Sequence, residues 1–257
     1  MYEAVFIAAT GLRHQQARMD TIANNIANVN SAAYKTVRLD FKDALYTAGV
    51  VPAKPRTPEP EGNQQKGHGV MVTAITKDYR PGSLQTTDNP LDFAIQGEGF
   101  FEIGDLDGSI VYTRNGSFHL DDAGYIVTGD GAWVHDVRGE RIRVPEGTDR
   151  IIARMDGRLS FEDDFEETAS ATLGVYKFRN LMGLTSAGNG NYAESVASGE
   201  KAPAAEAKIR QGALEMSNVS LAEEMTRIIR TQRAFQLASR ALKTADDMEG
   251  IANNMKR

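Results

Sequence analysis

At each end of the chain apolar residues recur at alternating steps of three and four, the spacing of a helix with a single packing seam. Near the N-terminus the seam runs through Val5, Ala8, Leu12, Gln15, Met19, Ile22, Ile26 and Val29. Near the C-terminus it runs through Leu221, Met225, Ile228, Gln232, Phe235, Ser239, Leu242 and Asp246. The first run predicts a long helix that breaks at Asn28, Asn30 and Ser31, weak helix formers whose side chains bond to the local backbone. A second short helix is expected through Val37, Phe41 and Leu45. The C-terminal run predicts a helix opened by a capping box, Ser220 with Glu223, and uninterrupted by Pro or Gly until Gly250. Neither seam has a helical neighbour close in sequence. The economical way to bury both is for the ends to pair with each other or with copies of themselves. Long isolated helices with an exposed stripe are marginal in water, so these ends are expected to be mobile in a monomer and ordered in an assembly. Gln15 and Gln232 are expected to set register within the seams.

Between the ends the pattern changes. Residues 50–69 read VVPAKPRTPEPEGNQQKGHG, four of them Pro, which predicts an extended, exposed loop. From 70 to 178 short β-like runs are separated by turn signals. Asn115-Gly116 between 111–114 and 117–120 predicts a hairpin. Asp121-Asp122-Ala123-Gly124, Gly129-Asp130-Gly131, Arg138-Gly139-Glu140 and Asp156-Gly157-Arg158 punctuate the following strands. Residues 183–207 return to loop composition. The expected fold class is therefore α+β: long N- and C-terminal helices pairing as a coiled-coil-like helical domain, with a central, mostly antiparallel β-domain. The expected divisions are an N-terminal helical segment 1–48, a Pro-rich loop 49–69, a β-domain 70–207 and a C-terminal helical segment 208–257.

Composition removes several functions. At 257 residues with 41% apolar and 25% charged side chains the chain is ordinary for a globular protein. A formal charge of −6 argues against a global grip on nucleic acid or anionic lipid. No stretch approaches the length of apolar sequence that spans a bilayer, so no membrane insertion is expected. The absence of Cys excludes disulfides, thiolate catalysis and Cys-ligated metals. Glu3 stands where a cleavable leader carries basic residues, so none is expected. His14, His68, His119 and His135 have no metal-ligand spacing and read as surface or turn residues. Asp105/Asp107 lack the remaining ligands of a calcium loop and read as a hairpin turn, and 162–167 reads as a solvated acidic loop. Gly97-Glu98-Gly99 lacks the third Gly of a phosphate cradle, and no GxSxG occurs. No catalytic, metal or cofactor residue is assigned, and no cofactor is implied.

Residues 12–30, LRHQQARMDTIANNIANVN, resemble the N-terminal signature of bacterial flagellar axial proteins: the rod, hook and hook-associated subunits. The specific part is Ala23-Asn24-Asn25-Ile26-Ala27-Asn28-Val29. Residues 91–101, LDFAIQGEGFF, with Gly97, Gly99 and Phe100, and 112–118, YTRNGSF, resemble the opening of the rod and hook β-domain. Glu215-Met216-Ser217-Asn218-Val219, Glu223-Glu224-Met225 and Thr231-Gln232-Arg233-Ala234-Phe235 resemble the family's C-terminal helix. Length favours a basal-body rod protein over the longer hook proteins, and the Pro-rich insertion favours the distal rod type over the proximal one. One departure stands out. The signature usually continues with Gly before an aromatic and a basic residue, where this chain has Ala32-Ala33-Tyr34-Lys35; a φ above zero at Ala33 would be strained, so a different turn is expected.

The resemblance implies a non-enzymatic structural subunit of the basal-body rod. It would be exported through the flagellar type III apparatus without a cleaved leader. Outside the inner membrane it would assemble with copies of itself and with other rod and hook subunits into a helical, torque-bearing tube. Asn24, Asn25 and Asn28 are then expected to bond across subunits or to line the export channel, against a rival reading as a solvated face. The alternatives from other classes are a secreted cell-wall enzyme or carbohydrate-binding module, and a scaffold not retained in the rod.

Overall fold

The computed structural model describes residues 2–43, 46–49, 64–67, 70–105, 107–163 and 166–255. They form an α+β architecture with a helix near each end, α1 (Tyr2–Ala27) and α2 (Leu221–Asn254), around a series of antiparallel strands. Two compact units divide the chain. The first is Met1–Ala27, Val37–Thr76 and Ser220–Arg257; the second is Asn28–Thr36 and Lys77–Val219.

In the first unit α1 packs against α2. The first helix gives way to turn at Asn28, where Ser31 donates its N–H to the Asn28 carbonyl and its Oγ–H to Asn28 Oδ1, both at 3.2 Å. The second helix opens directly after Ser220, whose carbonyl accepts from the Glu224 N–H at 3.0 Å. The short helix expected through Val37, Phe41 and Leu45 is instead the strand Val37–Asp43, paired with Val70–Lys77, while Leu45 lies outside the described residues. The period-two alternation explains the outcome. Val37, Leu39 and Phe41 are half-buried, and Arg38, Asp40 and Lys42 are exposed. Phe41 meets His14 edge-on at 5.7 Å, with the Arg18 guanidinium 5.7 Å from its ring centroid. Of the Pro-rich stretch, Gln64–Gly67 pairs with Tyr46–Gly49 as a short ladder; residues 50–63, 68 and 69 lie outside the described set.

The second unit is built around the strand Phe100–Gly104, every residue of which is buried. Its neighbours are Ile110–Thr113, Trp133–Val134 and Val175–Lys177, all antiparallel, within a nine-stranded sheet. Alternation along this strand sends Phe101 and Ile103 into one apolar core with Phe93, Phe118, Ile126 and Phe161. It sends Phe100 into a second core of aromatic rings with Tyr112, Tyr176, Phe178 and Tyr192. A strand covered on both faces reads as a continuous apolar run, which FFEI nearly is. Residues 208–219 belong to this unit, because Lys208–Gln211 pairs with Phe93–Gln96 and Ala213–Glu215 with Leu84–Thr86.

The turns at Gly108, Gly124, Gly131, Gly139 and Gly157 all carry φ between 78° and 88° and close antiparallel neighbours. Asn115-Gly116 does not make the expected hairpin. Ile110–Thr113 and Phe118–Leu120 pair with other strands of the sheet, and Gly116 is not among the positive-φ residues. Gly is needed there for close approach: an added Cβ would stand 1.8 Å from the Phe93 carbonyl oxygen. Of the acidic stretch expected as a loop, the described residues are paired strand ends, with Glu162 opposite Glu167 and Asp163 opposite Glu166.

Ala33 adopts φ +56° while buried, so the turn keeps the left-handed geometry although Ala occupies it. The left-handed state costs an L-residue roughly 1–2 kcal/mol. Replacing Ala by Gly relieves that, but loosens the unfolded chain at about 0.5–1 kcal/mol and exposes the space of a buried methyl worth ~0.8 kcal/mol. The two sides nearly cancel. Ala33→Gly is therefore expected to shift unfolding stability by less than about 1 kcal/mol, whereas β-branched Ala33→Val is expected to lose roughly 2–3 kcal/mol in denaturant melts. Gly116→Ala is expected to cost about 1–3 kcal/mol through backbone overlap with Phe93.

Candidate assembly interface

The seam residues of α1 are half-buried at Val5, Leu12, Met19 and Ile26 and buried at Ile22. Val29 is half-buried in the segment that begins the second unit. On α2, Ile228, Phe235 and Leu242 are half-buried, but Leu221 and Met225 are exposed. The covered face of α2 also contains Glu224 and Thr231, both buried, which an apolar-periodicity search passes over. Leu221, Met225, Ile229 and Leu237 instead fall on one exposed i, i+4 row, at 42%, 50%, 50% and 65%, with Arg233 between the last two. Met248, Ile251 and Met255 are exposed nearer the C-terminal end. Gln232 and Arg233 are also exposed. Leu221, Met225 and Ile229 thus leave three successive apolar side chains uncovered on a helix that packs against α1.

Beneath it, Asn25 joins three elements of the first unit. Its Oδ1 accepts from the Val37 N–H at 3.0 Å, and its Nδ2 donates to the Val37 carbonyl at 2.9 Å and to Glu224 Oε2 at 3.3 Å. A side-chain amide offers one acceptor and two donors, and here all three are engaged. Asn25 is therefore the internal joint between the end of α1, the start of the following strand and the first turn of α2. Ala23, Asn24 and Ala27 are exposed and Asn28 is half-buried. Glu224 also receives Arg227 Nη1 at 2.5 Å. Asn25, Val37, Glu224 and Arg227 border a cleft of about 230 Å³ shared with Arg18, Arg38 and Asp40.

In the second unit, Glu215 draws together segments far apart in sequence. Its Oε1 accepts from Lys35 Nζ at 2.5 Å and from the Gly82 N–H at 3.0 Å; its Oε2 accepts from Arg114 Nη1 at 2.9 Å. Its backbone carbonyl accepts from the Ala33 N–H at 2.7 Å. All three ionised side chains are at most 4% exposed. Arg114 is further held by the Gly99 carbonyl at 2.8 Å and by that of Gly97, and its guanidinium lies 5.6 Å from the centroid of Phe100. The positive φ of Gly97 and Gly99 is what turns this short loop. Asn218 completes the clamp. Its Oδ1 accepts from Thr36 N–H and Oγ–H at 2.8 and 2.7 Å, and its amide donates to the Asp78 and Arg80 carbonyls. Burial pulls the Lys35 ammonium below the ordinary lysine range, against the upward pull of Glu215, and the Arg114 charge lowers it further.

Glu102 is a second buried carboxylate, on the aromatic face of Phe100–Gly104. Lys201 Nζ bonds its Oε2 at 2.5 Å, and His135 Nδ1 stands 3.5 Å from its Oε1. His135 is thus a mostly buried neighbour of a carboxylate, not the surface residue its spacing suggested; His119 is exposed, and His68 lies outside the described residues. Burial alone would raise the Glu102 carboxyl, but His135 and the hydrogen-bonded Lys201 ammonium beside it hold it below the usual range. Among the described residues no cluster of three acidic or His side chains is placed to hold a metal, and no helix is long and apolar enough to cross a membrane.

Comparison with known proteins follows these same residues. Residues 7–35 match the family described as flagella basal body rod protein, 94–161 the flagellar hook protein FlgE/F/G D1 domain, and 210–255 the flagellar basal body rod FlgEFG protein C-terminal region. Each span contributes one member of the buried ion cluster: Lys35, Arg114 and Glu215 respectively. The flagellar basal-body rod protein FlgG of Borreliella burgdorferi is 39% identical with 100% of both chains covered, and that of Bacillus subtilis is 34% identical, again with 100% of both covered. The flagellar hook-basal body complex protein FlhP of Bacillus subtilis is 29% identical at the same coverage.

Three outcomes are expected. Glu215→Gln should cost roughly 3–5 kcal/mol by leaving two buried cations without their anion; Lys35→Met, which leaves Glu215 with Arg114, should cost markedly less, and equal losses in chemical unfolding would count against Glu215 as the centre. Asn25→Ala removes three hydrogen bonds and should lower stability by about 2–4 kcal/mol. Because the folded carboxyl of Glu102 is depressed, its contribution is present above the unfolded value and lost as pH falls through the folded one. Stability should therefore decline more steeply in acid for the native chain than for Glu102→Gln; parallel curves would refute the assignment.

Proposed function

We propose, from the premise that the chain belongs to the flagellar basal-body rod protein family, that it is a structural subunit of the rod and works by polymerising rather than by catalysis. The distal rod type is the reading the full-length relatives support. The observation that carries the mechanism is the apolar run Leu221, Met225 and Ile229, continued past Arg233 by Leu237, left uncovered on a helix that already packs against α1. Repeating one heterologous contact by a single screw operation produces an open tube. A stable contact needs on the order of 1,600 Å² in total, and a helix face of this length contributes a substantial share.

In this reading α1 and α2 form a coiled-coil-like pair that meets the same pair of neighbouring copies, and of other rod and hook subunits, at the basal body. The helical ends are the assembling parts, and the β-unit supplies a body held by Glu215 where the chain enters it after α1 and leaves it before α2. Export through the flagellar type III apparatus, without removal of the first residues, brings the chain to the space outside the inner membrane. Each subunit would contact several others, so torque is shared among many interfaces and no single one must carry it.

Leu221 and Met225 are exposed, so charge can be introduced there without disturbing the fold. Leu221→Asp with Met225→Asp should leave the melting temperature within a few degrees of native while abolishing incorporation into purified hook–basal bodies and motility. Leu12→Asp and Phe235→Asp should also block assembly, with loss of helical packing and an intact β-unit by hydrogen exchange. Motile cells carrying the first pair would overturn the proposed contact surface.

A further inference from the structure

Two Asn-Gly dipeptides occur in the chain, Asn115-Gly116 and Asn189-Gly190, and the fold treats them oppositely. We propose that Asn189 is a site of spontaneous deamidation and isoaspartate formation in the folded protein, and that Asn115 is protected from the same chemistry. This goes beyond the structural role and does not depend on it.

The reaction needs three things: a side-chain amide free to rotate, a following backbone nitrogen with little steric cover, and water. Asn189 and Gly190 form the two-residue tip between Thr185–Gly188 and Asn191–Ala193, with φ of +48° and +78°, the geometry of a type I′ turn. In such a turn the nitrogen of the second central residue is not part of the closing hydrogen bond. Both residues are exposed, and among the described residues the Asn189 side chain makes no hydrogen bond. Nothing lies within 4 Å of where a Gly190 Cβ would stand. The strand Thr185–Gly188 is an edge strand exposed at all four residues, so the tip opens at low cost.

Asn115 lacks the first two of these freedoms. Its Oδ1 accepts from the Ser117 N–H at 3.2 Å, and its own N–H donates to Thr113 Oγ1 at 3.2 Å. Gly116 is buried, its carbonyl accepts from the Phe93 N–H at 2.9 Å, and the Phe93 carbonyl crowds its Cα. The Gly116 nitrogen cannot swing onto the Asn115 side chain without opening the core edge.

At Asn189 the Gly190 nitrogen, having lost its proton to solvent base, adds to Cγ. The Cγ–Nδ2 bond breaks and ammonia leaves, closing a succinimide. One water then opens the ring at either carbonyl, giving aspartate or isoaspartate, so that the net change is asparagine plus water to acid plus ammonia. Either product adds a negative charge. Isoaspartate also lengthens the main chain inside a two-residue turn, next to the Lys77–Ser186 hydrogen bond at 3.0 Å and the buried Tyr192. An assembled subunit would thus carry a covalent record of its age.

The test is incubation of the purified full-length protein in mildly alkaline buffer made with oxygen-isotope-labelled water, followed by acidic proteolysis and peptide mass spectrometry. The 189 peptide should take up label and show both acid isomers, roughly tenfold or more faster than the 115 peptide. In denaturant the two sites should react at similar rates. Asn189→Gln should remove label from its own peptide and leave the 115 peptide unchanged. An unlabelled 189 peptide, an equally fast 115 peptide in the folded state, or a 115 site that remains slow in denaturant would each overturn the proposal.

Discussion

A single buried carboxylate ties together parts of the chain that are far apart in sequence. Glu215 faces Lys35 and Arg114 from inside the β-unit, while its main chain receives the Ala33 N–H. A lone carboxylate in that position would cost several kcal/mol, and a lone Lys35 or Arg114 as much, so the three are interdependent. The segment that follows α1 and the segment that precedes α2 therefore meet at one place in this unit, whichever is considered first. Asn218 reinforces the same junction through Thr36, Asp78 and Arg80. Ala33 can remain in the left-handed region because this surround over-determines its backbone.

The remainder of the β-unit is organised by the doubly covered strand Phe100–Gly104. Aliphatic and aromatic side chains fill one face, and a ring cluster fills the other, into which Glu102 is inserted. Edge-on ring pairs such as Tyr112 with Phe178, centroids 4.8 Å apart, add directionality to area burial. Lys201 lies over the Tyr176 ring at 4.5 Å while it bonds Glu102, so charge and aromatic packing support the same spot.

Periodicity located both helices and the alternation between turns and strands, because these depend on nearest neighbours along the chain. It misjudged Val37–Asp43, where Val37 and Phe41 fit an i, i+4 helix step as well as alternate strand positions; the charges at Arg38, Asp40 and Lys42 were the deciding signal. It also merged two rows of α2 into one stripe. Leu221 and Met225 lie on an exposed row, whereas Ile228, Phe235 and Leu242 lie on the covered side with Glu224 and Thr231. A buried Glu is invisible to a hydrophobic pattern, since Glu224 is tolerated through Arg227 one turn on together with Asn25, almost two hundred positions away. Asn25, expected to bond across subunits or to line the export channel, is instead engaged within the chain, because Val37 begins a strand beside it.

From the sequence alone came the two helices, the β-rich middle, the glycine turns and the resemblance to flagellar axial proteins, since each rests on local propensity or on residue order. Tertiary structure decided which polar groups are buried, that Asn115-Gly116 is a close-packed corner while Asn189-Gly190 is an open tip, and which helix rows remain uncovered. Those depend on which distant segments meet, and the cost of an unpaired buried charge or a clashing methyl exists only once they have met.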